Sequence, residues 1–71
     1  MPTALLCVSG LRSPEDEARV ERALTRARGV LAAVASREAA CAEVDFDDDE
    51  TTTDELLAIL RAEGFEARLG G

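Results

Sequence analysis

Apolar and polar positions in this chain follow two rhythms, one of period two and one of period three to four. The segment "ALLCVS" (4–9) is short, apolar and closed by Gly10, which reads as a strand. "SPED" (13–16) then carries the marks of a helix start. Ser13 suits the cap, Pro14 suits the first helical position, and Asp16 sits three residues after the cap. Glu15, Asp16 and Glu17 favour the positive end of the helix dipole. Val20, Ala23, Leu24 and Ala27 follow at i, i+3, i+4 and i+7, one apolar helical face, and Gly29 is expected as the residue that ends the helix.

"VLAAVAS" (30–36) is again short and apolar, and "REAA" (37–40) reads as a turn. "ACAEVDF" (40–46) alternates, with Ala42, Val44 and Phe46 on one face and Cys41, Glu43 and Asp45 on the other. These two segments form a hairpin, followed by a "DDDE" loop (47–50). Thr52 with Glu55 predicts a second capping box, Leu56, Ile59 and Leu60 a second amphipathic helix, and Gly64 its stop. "FEARL" (65–69) returns to alternation, with Phe65, Ala67 and Leu69 on one face, and Gly70-Gly71 is expected to fray. The order β-α-β-β-α-β predicts an α+β, ferredoxin-like βαββαβ sandwich: a four-stranded antiparallel sheet with both helices on one face. The other face is left to solvent or a partner.

With 71 residues the chain makes one domain, expected over 1–69 with 70–71 as the tail. Its core is thin, because Phe46 and Phe65 are the only rings and much of the apolar content is Ala. All eight basic residues are Arg, and the formal net charge is −7. That balance argues against nucleic acid, which needs a positive surface to displace counterions, and against anionic membranes. A cation or a basic protein partner is compatible with it. No apolar run reaches the roughly 20 residues a bilayer span needs. "MPTALLCVSG" lacks the basic start of a signal peptide, so a cytoplasmic location is expected. Two cysteines do not make a secreted disulfide framework. There is no His, no nucleophile with an obvious base and no phosphate-binding glycine loop, so the chain is expected not to be an enzyme.

Gly10-Leu11, Val20-Glu21-Arg22-Ala23-Leu24, Gly29-Val30, Val44-Asp45-Phe46-Asp47, Glu55-Leu56, Ile59 and Gly64-Phe65 stand at the separations of one known pattern. By these positions the chain resembles the heavy-metal-associated domain, the fold of copper chaperones, of the N-terminal modules of metal-pumping P-type ATPases and of mercury-binding proteins. The match runs along nearly the whole chain without gaps. The family pattern G-M-x-C-x-x-C places Ser13 and Asp16 at the two cysteine positions and Leu11 at the methionine. The tyrosine near the metal in many bacterial members falls on Phe65. The resemblance implies metal trafficking and, as partner, a basic or metal-transport protein.

The residues themselves point elsewhere at that loop. Cu(I) is soft and favours thiolates, whereas a Ser hydroxyl and an Asp carboxylate are hard donors suited to Mg, Ca or Mn. The candidate loop site is Ser13 and Asp16, with Glu15 or Glu17, for a divalent ion; its bland counterpart is a stretch that only caps a helix. Cys7 and Cys41 are a second candidate, a relocated thiolate site for a soft metal or a redox-sensitive pair. The resemblance turns Leu6 and Val8 inward and Cys7 outward, alternation puts Cys41 on the same open face, and the register between their strands is left open. The bland counterpart is two small residues on half-buried strand positions. Asp45, Asp47 and Asp49 mimic the start of a calcium loop, but Glu50 stands where Gly is needed and Leu56 where a bidentate Glu is needed, so that reading fails. The expectation is a small soluble metal-carrier or metal-sensing protein with an altered loop, Cu(I) transfer there being disfavoured. The rivals are a metal-free interaction module using the acidic surface or open sheet, and a homo-oligomer that pairs through the open face or an edge strand, the chain being expected as a monomer or weak homo-oligomer.

Overall fold

The computed structural model describes residues 2–70. In chain order the elements are β1 (Thr3–Ser9), α1 (Pro14–Thr25), β2 (Val30–Ser36), β3 (Cys41–Phe46), α2 (Thr53–Ala62) and β4 (Glu66–Leu69). The four strands lie in the order β2-β3-β1-β4, and every neighbouring pair is antiparallel. This is the ferredoxin-like arrangement expected from the sequence, with β1 and β3 as the central strands.

Period-two alternation builds the core. Ala4, Leu6 and Val8 from β1, and Ala42, Val44 and Phe46 from β3, point to one face and are buried. Val20 and Leu24 of α1 and Leu56, Leu57 and Leu60 of α2 close over them in a single cluster. Both helices therefore cover the same face. At about 25 cal/mol per Å² of apolar surface, each fully buried Leu or Val contributes roughly 1.5–3 kcal/mol. Leu11 packs against the edge of this cluster.

α2 ends as expected. Gly64 has φ +95°, its N–H donates to Arg61 C=O at 3.0 Å, and Phe65 N–H donates to Leu60 C=O at 3.0 Å. These two bonds satisfy carbonyls that the helix would otherwise leave open.

α1 ends differently. Its cap is Arg26, so Ala27 lies past the helix and Gly29 is not its terminating residue. Gly29 instead shapes the turn into β2. Its φ is +86°, its carbonyl accepts the Asp47 N–H at 2.7 Å, and a Cβ there would sit 2.6 Å from Glu50 Cβ. A close approach between two loops, which sequence periodicity does not register, fixes this glycine.

Three smaller differences follow from the sheet edges and caps. Leu69, expected on one face with Phe65 and Ala67, is 57% exposed at the end of the edge strand β4. The Glu55 carboxylate accepts from the Thr51 hydroxyl at 2.9 Å, while Thr52 Oγ1 still caps Glu55 N–H at 3.2 Å. Gly70, placed in the fraying tail, donates its N–H to Leu5 C=O at 2.7 Å, and Gly71 lies outside the described residues.

Ala40, which ends the β2–β3 turn, has φ +51°. A side chain in the left-handed region costs about 1–2 kcal/mol, part of which glycine returns as unfolded-state entropy. Ala40→Gly is expected to stabilise the fold by about 0.5–1 kcal/mol. Gly29→Ala is expected to destabilise it by about 1–3 kcal/mol through overpacking against Glu50. Urea midpoints at unchanged m measure both.

Candidate metal site

The loop between β1 and α1 is organised around the helix cap. Ser13 holds an extended backbone, φ −149° and ψ 164°, and its Oγ accepts the Asp16 N–H at 3.2 Å. The Asp16 carboxylate reaches back and accepts the Arg12 N–H at 2.9 Å. Being one methylene shorter than the usual Glu, it closes on the residue before the cap. The first bond engages an N–H of the helix's first turn, and the second ties the residue before the cap to the helix.

The surrounding side chains are also engaged. The Arg19 guanidinium lies 4.0 Å from Asp16 Oδ1, donates to Glu63 C=O at 2.9 Å and stands 5.2 Å above the Phe65 ring. Phe65 in turn supports the loop, its Cδ1 lying 3.7 Å from where a Cβ on Gly10 would be. Glu17 accepts the Arg37 N–H at 2.7 Å and pairs with its guanidinium at 3.4 Å, tying α1 to the β2–β3 turn. Of Ser13, Glu15, Asp16 and Glu17, only the exposed Glu15 has no hydrogen bond or ion pair among the described residues. A soft cation meets no sulfur between Gly10 and Glu17. A hard one would compete with the cap and with the adjacent guanidinium.

Arg19 was not singled out from the sequence, although the Asp16–Arg19 spacing of i, i+3 on a helix is the signal that points to it. Glu17, expected to favour the helix dipole and offered as a loop ligand, pairs with Arg37 in a turn 20 residues away.

On the opposite face of the sheet the structure settles the register. Cys7 and Cys41 are direct Cα partners in the β1–β3 ladder. Val8 N–H donates to Ala40 C=O and Phe46 N–H to Pro2 C=O, which puts the β1–β3 bonds at even-numbered β1 positions. Cys7/Cys41 is therefore a non-hydrogen-bonded pair, the closer of the two kinds, with Cα atoms about 4.5 Å apart. Both thiols are free and half-buried. The row across the sheet reads Ser36, Cys41, Cys7, Arg68. The next row pairs Glu43 with Leu5, and beyond it the Thr3 hydroxyl donates to Asp45 at 2.6 Å.

The acidic loop gathers the carboxylates of Asp47, Asp48 and Asp49 within 4.8 Å. Asp47 Oδ1 caps the Asp49 N–H at 3.0 Å, Asp48 and Asp49 face solvent, and Leu56, at the would-be twelfth calcium position, is buried in the core. The calcium reading finds no support in this geometry.

If Ser13 and Asp16 serve the helix, their loss shows in stability. Ser13→Ala and Asp16→Ala are each expected to cost about 1 kcal/mol. In a domain this small that lowers the melting temperature by roughly 4–8 °C. Thermal melts followed by circular dichroism measure it.

No family model matches the chain. It is 34% identical over 68 residues to the copper chaperone CopZ of Staphylococcus saprophyticus, covering 96% of this chain and 100% of that protein. Among solved structures it is similar to a copper-binding domain from HMA7, a P-type ATPase, with TM-score 0.98 and 25% identity over 100% of this chain and 96% of that one. It shares its fold with oxidised MerP of Ralstonia metallidurans, with TM-score 0.93 and 24% identity over 99% and 97% of the two chains. Among the described residues no helix is long and apolar enough to cross a membrane. Sequence kinship over 96% of the chain, joined to the same βαββαβ frame, places it in the heavy-metal-associated domain family as a small copper-chaperone-like protein.

Proposed function

We propose that this protein is a non-enzymatic, cytoplasmic handler of a soft metal ion, Cu(I) foremost, and that its β1–α1 loop is not where the ion is held. Kinship with a copper chaperone supports the first part. The observation that carries the second is the closed cap: Ser13 and Asp16 occupy the loop positions where the family pattern has cysteines, and both side chains are committed to backbone N–H groups. The partner is a metal-transport protein, met by charge complementarity. A net charge of −7 favours a basic docking surface and makes the encounter salt-sensitive.

The same charge supports a second reading, a metal-free interaction module. The fold then serves only to present the acidic surface and open sheet.

Titration of the reduced protein with Cu(I) against a competing chelator separates the two. The first reading predicts tight, stoichiometric binding that Ser13→Ala/Asp16→Ala leaves unchanged. Binding lost in that double variant would return the site to the loop. Absence of binding tighter than micromolar would remove the carrier function and leave the interaction module.

A further inference from the structure

We propose that Cys7 and Cys41 form a two-thiolate site for Cu(I) on the open face of the sheet. The inference rests on the reading that the chain handles a soft metal. It adds where the metal sits and which atoms hold it.

Position comes first. The two residues are directly opposed on the central strands, in the pair type that brings side chains closest. They are also the only sulfur donors of the soft kind in the chain besides Met1, since there is no further Cys. Neither belongs to the loop, and alternation sends both to the face that the helices do not cover.

Reach comes second. Cβ atoms of opposed strand residues stand about 4.5–5.5 Å apart. Two sulfurs spanning one metal are separated by up to about 4.6 Å, twice a metal–thiolate bond of about 2.3 Å. Rotation about χ1 between staggered wells covers that distance without moving the backbone. The Cys7 thiol lies against Gly70, where a Cβ would come within 2.8 Å of its sulfur. A side chain at that position would crowd the thiol, and glycine leaves it free to turn.

Charge and ion choice come third. Binding releases one proton from each thiol and leaves a complex of net charge −1. Arg68, the Cα partner of Cys7 on the other side, supplies a cation beside it. Only two thiolates are present in the row, and its outer members are Ser36 and Arg68. A structural zinc site asks for four ligands in a tetrahedron, which this row does not provide. Soft thiolates with low coordination select Cu(I). A metal held here faces outward from the sheet, so transfer would proceed across the sheet face and not at the helix end.

The experiment titrates reduced, thiol-reductant-free protein with Cu(I) against a chromophoric chelator. It compares the unaltered chain with Cys7→Ser, Cys41→Ser and the double variant, with circular dichroism to verify each fold. The unaltered chain is expected to bind one Cu(I) as a monomer, with thiolate-to-copper charge-transfer absorption. Each single Ser variant is expected to lose more affinity than the roughly 10–100-fold typical when a metal ligand merely loses its supporting partner. Copper retained by a folded double variant would overturn the thiol site and leave the soft-metal reading standing. Absence of copper binding by the unaltered chain would overturn both. One copper shared by two chains on size exclusion would replace the cross-strand pair with an intermolecular bridge.

A metal-free arm tests the geometry alone. An azo oxidant takes one hydrogen from each thiol as the S–S bond forms. The expected product is a monomer lighter by those two hydrogens, and disulfide-linked dimers alone would contradict the cross-strand placement.

Discussion

The antiparallel pairing of β1 with β3 is the contact from which the rest of the molecule is organised. Its register sets Ala4 against Val44 and Leu6 against Ala42 on the covered face, and Leu5 against Glu43 and Cys7 against Cys41 on the open one. A slip of one residue would turn every side chain of a strand to the other face, exposing Leu6 and Val44 and burying Glu43. The core therefore holds the register, and the register holds the two cysteines opposite each other. Their adjacency is a consequence of packing on the far side of the sheet.

A core made largely of Ala, Leu and Val leaves small margins, and the helix ends carry more of the stability than they would in a larger domain. α1 is fixed by Ser13 and Asp16 at its start and by Glu17 reaching Arg37 in the β2–β3 turn. Arg19 links α1 to the end of α2 through the Glu63 carbonyl and spreads over Phe65. The loop that carries the metal in the family pattern is closed here by side-chain bonds to backbone N–H groups. Chemistry suited to capping a helix differs from chemistry suited to a soft ion, and these side chains follow the first.

Much of this was legible in the sequence because it rests on local periodicity. Alternation in "ACAEVDF" gave both the inward row and the outward position of Cys41, and Ser13, Thr52 and Gly64 marked helix ends that the structure keeps. What escaped depends on contacts between distant segments. Gly29 was assigned to the end of α1, but its reason is Glu50, a residue of another loop. Leu69 followed the alternation of β4 and still lies in solvent, since alternation records which face a residue takes and not whether anything covers it. The open face was identifiable for both cysteines, whereas their direct opposition needed the strand register, which no single segment encodes.

Backbone amide chemical shifts measure directly where a soft metal meets this fold. A ¹⁵N-labelled sample of the reduced protein, recorded before and after one equivalent of Cu(I), reads every residue at once. The largest changes are expected at Cys7 and Cys41 and at Leu6, Val8 and Ala42 beside them, with Arg12 to Glu17 unmoved. Changes centred on Arg12 to Glu17 and Phe65, with Cys7 and Cys41 silent, would contradict a site at the two thiols.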